Sequence, residues 1–142
     1  MNELRQRAVK LLARREHTRA ELARKLATHG TQEEIETVLN ELAGSGLQSD
    51  ARFVESYLRS QAGRLGAARL RQTLRQKGVA AELITLHVEE LPDELERVRT
   101  VWEKKFSVSP ADHNDWARQA RFLQGRGFSV EIIRKLLKGS VE

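Results

Sequence analysis

Apolar residues along this chain recur three and four positions apart, the spacing of one helix face, and no long β-branched run suggests a strand. Between Gly66 and Gly78, Ala67, Leu70 and Leu74 form one such face, while Arg69, Arg71, Arg75 and Lys77 take the faces left over. Gly78 stands just past the last periodic residue, where glycine supplies the left-handed conformation that ends a helix. Leu83, Ile84, His87, Val88 and Leu91 then open a second apolar face. The stretch predicts helix, glycine turn, helix.

The same template recurs on both sides. Leu22 and Leu26 precede Gly30 by eight and four residues, as Leu70 and Leu74 precede Gly78, and Ile35 and Leu83 stand five residues after those glycines. Leu123 stands four before Gly127 and Ile132 five after it, with Phe128 matching Val79 directly behind the glycine. The three glycines are 48 and 49 residues apart. A fixed period of this size marks a stacked supersecondary unit too small to bury its own face.

Other boundaries follow from cap chemistry. A first helix from about Leu4 to Arg15 carries Leu4, Ala8, Leu11 and Leu12 on one face, and Thr18 with Glu21, then Thr31 with Glu34, form capping boxes. The third helix, with Ile35, Val38, Leu39 and Leu42, ends at Gly44-Ser45-Gly46; Ser49 or Asp50 caps a fourth that turns Phe53, Val54, Tyr57 and Leu58 inward. Pro92 fits a first helical turn that tolerates a missing N–H. It therefore starts a stripe of Leu95, Val98, Trp102 and Phe106. Ser109 to Asp112 starts the helix carrying Trp116, Ala120 and Leu123, and Ser129 caps the last helix, with Ile132, Ile133, Leu136 and Leu137. The expectation is an all-α chain of three tandem three-helix repeats, residues 1–47, 48–91 and 92–142.

With 142 residues so divided, 5% aromatic and 32% charged, each repeat has a thin leucine core and should share apolar surface with its neighbours. The chain has no cysteine and no apolar run near the roughly 18 residues of a membrane span. A cytoplasmic, soluble protein without disulfides is expected. The net charge of +5 calls for an acidic partner, nucleic acid or protein.

That charge is unevenly placed. Residues 5–25 hold eight Lys or Arg against two Glu, and residues 26–51 hold five acids and no Lys or Arg. Residues 52–77 then carry seven basic residues against Glu55 alone, and residues 78–96 six acids and none. Charged helix faces are usually just solvated, and acids near N-termini suit the helix dipole. Arg71 and Arg75, however, are like charges at i, i+4, which costs a few tenths of a kcal/mol unless an anion satisfies them. Arg14-Arg15, Arg24-Lys25 and Lys104-Lys105 crowd charge further.

Catalytic and cofactor chemistry has no foothold. His17, His29, His87 and His113 are far apart, and without cysteine they offer no metal set; nor is there a nucleophile elbow, P-loop or dinucleotide fingerprint. His87 aligns with Leu39 and Leu136, the place of a partly buried core histidine. Gly63-x-x-Gly66 imitates the KH loop without the strands that fold needs. The chain reads as a binder, not an enzyme, with no cofactor or metal. A helix-turn-helix DNA reader is disfavoured because the helices after Gly30 and Gly78 are acidic; only the last, with Arg134, Lys135 and Lys138, could enter a groove.

Four segments together resemble the regulatory protein RecX family over nearly the whole chain: LLARREHTRAELARKL, GLQSDARFVESYLRS, LRQKGV and RFLQGRGFSVEII. The resemblance implies an elongated, curved, monomeric array of helix-turn-helix-like repeats that binds the RecA filament on single-stranded DNA. It would restrain RecA's recombinase, ATPase and coprotease activities in DNA repair, homologous recombination and the SOS response. Matching the family's basic central segment puts forward Arg52, Arg59, Arg64, Arg69, Arg71, Arg75 and Lys77 as contacts to RecA filament or DNA, with Arg14, Arg15, Arg24 and Lys25 second. Action at a filament end and action along its length both stay open. Two other readings use the same residues: a sequence-selective tandem helix-turn-helix DNA-binding protein, and a helical scaffold for another acidic protein.

Overall fold

The computed structural model describes residues 3–138, and among these residues there are nine helices and no strand. They are α1 (Glu3–Arg14), α2 (Arg19–Leu26), α3 (Gln32–Gly44), α4 (Asp50–Gln61), α5 (Ala67–Gln76), α6 (Ala81–Glu89), α7 (Glu94–Lys105), α8 (His113–Gly125) and α9 (Val130–Leu136). The ends of the first and third repeats at residues 1–2 and 139–142 lie outside the described residues.

Local cap chemistry sets most helix starts. Both capping boxes close: the Glu21 and Glu34 N–H groups donate to the Thr18 and Thr31 hydroxyls at 3.0 and 3.1 Å, and the two carboxylates accept from the Thr18 and Thr31 N–H groups. Ser129 and Asp112 accept from the Ile132 and Asp115 N–H groups at the starts of α9 and α8. Of the two candidates before α4, Ser49 caps it, accepting from Arg52 N–H at 3.1 Å. Pro92 departs from expectation. Helix α7 begins at Glu94 with Asp93 at the cap, so Pro92 precedes the helix and contributes a carbonyl, which accepts from Arg97 Nε at 3.3 Å.

By compactness the chain forms two units, one holding the chain up to Ser56 together with Leu74–Ile84, the other Tyr57–Thr73 and the chain from Thr85 on. In the first, α1, α2 and α3 pack on one another around Ala8, Leu22, Leu26, Ile35, Val38, Leu39 and Leu42, all buried. In the second, α7, α8 and α9 enclose Val98, Val101, Leu123, Phe128, Ile133 and Leu137. Val101 sits outside the stripe read from the sequence, and Leu95, Trp102 and Phe106 are only half-buried. In the middle repeat Val54, Leu70 and Leu74 are fully buried.

Leu26, Leu74 and Leu123, at 1%, 0% and 0% exposure, occupy equivalent core positions. Beyond the glycine the equivalence shifts by one. Ile84 and Ile133 are buried like Ile35, whereas Leu83 and Ile132 are half-buried; likewise Val88 and Leu137 match Leu39, leaving His87 half-buried beside that position. The cause is a shorter first turn. Gly78 and Gly127 have φ of +87° and +96° and are each followed by a buried residue, Val79 or Phe128, before the next helix is capped. Gly30 is outside the left-handed region and is followed directly by the cap Thr31; a Cβ there would meet Leu4 Cδ2 at 3.1 Å.

The left-handed glycines also build a joint that occurs twice. In the first unit Asp50 Oδ1 accepts from the Arg19 N–H at 2.8 Å, Thr18 Oγ1 donates to the Lys77 carbonyl at 2.6 Å, and Gly78 lies so close to Ala20 that a Cβ would overlap it. In the second unit Glu94 accepts from the Ala67 N–H at 3.0 Å, Gly66 N–H donates to the Arg126 carbonyl at 2.7 Å, and Gly127 presses against Arg69. Each time, the start of a middle helix is capped by an acid that opens a later helix and by the carbonyl just before a left-handed glycine. Three of the four bonds satisfy N–H groups that a helix start otherwise leaves unpaired, and the fourth takes the Thr18 hydroxyl proton.

Candidate functional site

Four of the eleven basic residues put forward from the sequence are engaged in holding the fold. Glu21, 4% exposed, pairs with Arg15 at 3.3 Å and Lys77 at 3.1 Å while also accepting from Thr18 N–H. Burial pushes its carboxyl up, but the Thr18 N–H and the two cations together outweigh that and bring its pKa down to about 2. Arg52 Nε meets Glu16 Oε2 at 2.6 Å, and its Nη2 donates to the Leu47 carbonyl. Arg69 Nη1 donates to the Gly125 carbonyl at 2.8 Å, where α8 ends.

The others are differently placed. Arg14, Arg24, Arg59, Arg64 and Arg75 are exposed and Arg71 is half-buried, and none of the six forms an ion pair with a described residue. Lys25 Nζ lies 3.3 Å from Nε2 of buried His17, whose Nδ1 faces the Arg15 carbonyl at 3.0 Å. Because a carbonyl only accepts, Nδ1 carries the proton and Nε2 is free to accept from the Lys25 ammonium. Burial lowers the His17 pKa and, with the adjacent Arg15 and Lys25 charges, outweighs the hydrogen bond to the Arg15 carbonyl and the Glu21 charge, which raise it. The ring is therefore neutral at pH 7.

Two clefts collect cations that form no ion pair among the described residues, and no carboxylate lines either. In the first unit Arg7, Lys10, Arg14 and Lys25 surround about 240 Å³ of space over Leu11, Leu26 and His29. In the second unit Arg64, Lys104, Lys105 and Arg126 surround about 340 Å³ bounded by Gly63, Val101 and Phe122. Of the residues put forward from sequence, Arg14 and Lys25 line the first of these clefts and Arg64 the second. Arg7, Lys10, Lys104, Lys105 and Arg126 were missed as contacts, although Lys104-Lys105 was visible as crowded charge.

The second cleft is held by its surroundings. Phe122 meets Phe106 edge-on, with centroids 5.5 Å apart at 88°, and Lys105 and Arg126 lie over the Phe122 ring at 5.1 and 4.9 Å. Such cation–π contacts contribute about 0.5–1 kcal/mol at exposed sites. They restrain two otherwise mobile side chains. Buried Arg97, which sequence reasoning missed, donates from Nη1 to the Ala62 and Leu65 carbonyls at 2.9 and 2.8 Å and so fixes the Gly63-Arg64 turn between them. A buried arginine gives no helical-period signal of its own.

Elsewhere the chemistry is sparse. Among the described residues no group of three or more His, Asp or Glu could hold a metal ion, and no helix is long and apolar enough to cross a membrane. Helix α3 exposes Glu33, Glu34, Glu36 and Glu41, a face unsuited to DNA phosphates.

Comparison with known proteins agrees with this architecture. The first, second and third three-helix domain models of RecX match residues 5–42, 49–86 and 92–137 in that order. Regulatory protein RecX of Leptothrix cholodnii is 49% identical over 137 residues, covering 95% of this chain and 87% of the relative. That of Chromobacterium violaceum is 42% identical over 140 residues, covering 98% and 91%. In fold, the crystal structure of RecX from Lactobacillus salivarius superposes with a TM-score of 0.82 over 96% of this chain and 93% of that one, at 23% identity. With three domain models matched in sequence and relatives this similar along nearly its whole length, the chain belongs to the RecX family of regulatory proteins.

Proposed function

We propose that this chain regulates the RecA recombinase by binding its nucleoprotein filament and inhibiting its ATPase, strand-exchange and coprotease activities. It acts as a non-enzymatic, monomeric cytoplasmic protein whose three repeats span residues 1–47, 48–91 and 92–142. The observation that carries this reading is its place among proteins named regulatory protein RecX, with relatives 49% and 42% identical to it. Unpaired basic clefts without a lining carboxylate supply the physical means, since a filament of protein and single-stranded DNA presents acids and phosphates.

The contact surface in this reading comprises Arg14, Arg24, Lys25, Arg59, Arg64, Arg71 and Arg75, together with the cleft residues that the sequence did not single out. Arg15, Arg52, Arg69 and Lys77 act first on the fold. The test is capture of RecA by the immobilised chain with and without single-stranded DNA and nucleotide, paired with a titration of RecA ATPase. Retention of assembled filament with falling ATPase is expected. Site-selective duplex binding as the tightest mode would replace this reading with a DNA-reading one.

A further inference from the structure

The cleft between α1 and α2 differs in kind from its counterpart in the second unit. Its floor is aliphatic, made by half-buried Leu11 and by Leu26, and no Phe, Tyr or Trp lines it. Around that floor stand Arg7, Lys10, Arg14 and Lys25, all exposed and none in an ion pair with a described residue. Arg7, Lys10 and Arg14 fall three and four apart on one face of α1, a run of like charges that is unfavourable unless an anion lies among them. Lys25 is steadied by the 3.3 Å contact of its Nζ with His17 Nε2. Long cationic side chains lay their methylene stems on apolar surface and turn their heads outward. The space therefore has aliphatic walls and a cationic rim.

The charge changes sign at His29. That residue also lines a neighbouring space bounded by Glu3, Glu34 and Glu41. A continuous polyanion leaving the basic cleft past His29 meets three carboxylates, whereas a short acidic segment ends before them. Without a Phe, Tyr or Trp a base has no platform on which to stack, and a phosphodiester backbone gains nothing from covering Leu11. An aliphatic side chain flanked by carboxylates satisfies both floor and rim, the apolar group filling the pocket and the acids meeting the cations. A space of about 240 Å³ suits the anchor side chains of an unfolded segment rather than the face of a folded domain. We propose that this cleft docks a flexible acidic segment of a partner protein, with an aliphatic residue set against Leu11 and Asp or Glu side chains on Arg7, Lys10, Arg14 and Lys25.

The experiment uses the full chain without RecA, so its failure is distinct from failure of the regulatory reading, which ATPase inhibition judges. The probe is a short fluorescein-labelled peptide of aspartates and glutamates with leucine anchors, followed by anisotropy. Binding should be saturable, weaken with salt, and fall about tenfold or more when the leucines are replaced by serine, since each buried leucine contributes that much. Arg7→Gln with Lys10→Gln should also reduce affinity for the leucine peptide about tenfold or more, both positions being exposed. Arg14→Glu, a single exposed change, should do at least as much and decides the matter if the double variant fails to fold. Absence of saturable binding overturns the proposal, as does equal affinity for the serine peptide or undiminished binding by a folded variant. So does an oligothymidylate that displaces the labelled peptide at lower concentration than the unlabelled peptide does, which would assign the cleft to nucleic acid.

Discussion

Gly66 and Gly127 meet backbone to backbone: a Cβ on Gly66 would overlap the Gly127 carbonyl, while its N–H donates to the neighbouring Arg126 carbonyl at 2.7 Å. The obstacle is main chain on both sides, which a flexible side chain cannot relieve. Gly66→Ala should therefore destabilise the fold by about 2 kcal/mol or more, in the range of overpacked cores. Gly44→Ala, at the end of α3 with nothing within 4 Å, should be neutral or stabilising by up to about 1 kcal/mol. Chemical denaturation of the two variants checks the contrast, and a loss under about 0.5 kcal/mol for Gly66→Ala would show that the joint yields.

Leu74 is fully buried on the middle helix of the central repeat. Its truncation to Ala should cost about 2–5 kcal/mol, as for other core leucines. Urea unfolding gives the value; Leu86→Ala, at a 56% exposed position, serves as the control expected to change little.

Glu21 makes stability depend on pH in a predictable direction. Its carboxyl lies at about 2 in the folded chain against an ordinary 4.5. A depressed pKa means the contribution is complete above about pH 5 and is lost as pH falls toward 2, an effect on the order of 3 kcal/mol. Arg15 and Lys77 remain 47% and 40% exposed, so solvent screening makes that an upper figure. Thermal unfolding from pH 7 to pH 2.5 should show a smaller acid-induced loss in Glu21→Gln than in wild type, the variant starting lower. Parallel pH profiles would remove Glu21 from the joint.

Arg71→Glu with Arg75→Glu tests the regulatory surface. The helix should persist, because arginine and glutamate have similar propensity and exposed changes are usually within about 0.5 kcal/mol, although half-buried Arg71 sets a tighter limit than Arg75. If both guanidinium groups face filament acids or phosphates, reversing them should weaken RecA inhibition by at least about tenfold, since juxtaposed like charges cost several kcal/mol at an interface. The double Gln variant should fall between. Circular dichroism followed by ATPase titration decides, and undiminished inhibition by a folded double-Glu protein would move the contact elsewhere.

The helices and their caps were legible because their causes are local: Thr18 with Glu21 and Thr31 with Glu34 sit within one turn of each other. The repeat was legible too, but extending its register past Gly30 failed by one residue. Only contact with other elements distinguishes a glycine needed for positive φ from one packed under Leu4. The basic surface was legible as composition and obscure in detail. Arg15, Arg52, Arg69 and Lys77 are indistinguishable in sequence from Arg14 and Arg64, and only the carboxylates and carbonyls brought near by folding separate them. Arg97 and Arg126 depend wholly on long-range placement.

Arg126 divides its duties between main chain and side chain. Its carbonyl accepts from Gly66 at the joint, while its guanidinium lies over Phe122 at the cleft. Any residue at this position keeps the carbonyl, so the charge and reach of the cleft can be altered here without loosening the joint. Assembly and ligand preference are thus separately mutable at a single position, which leaves descendants of this sequence free to change what they hold while keeping how they are built.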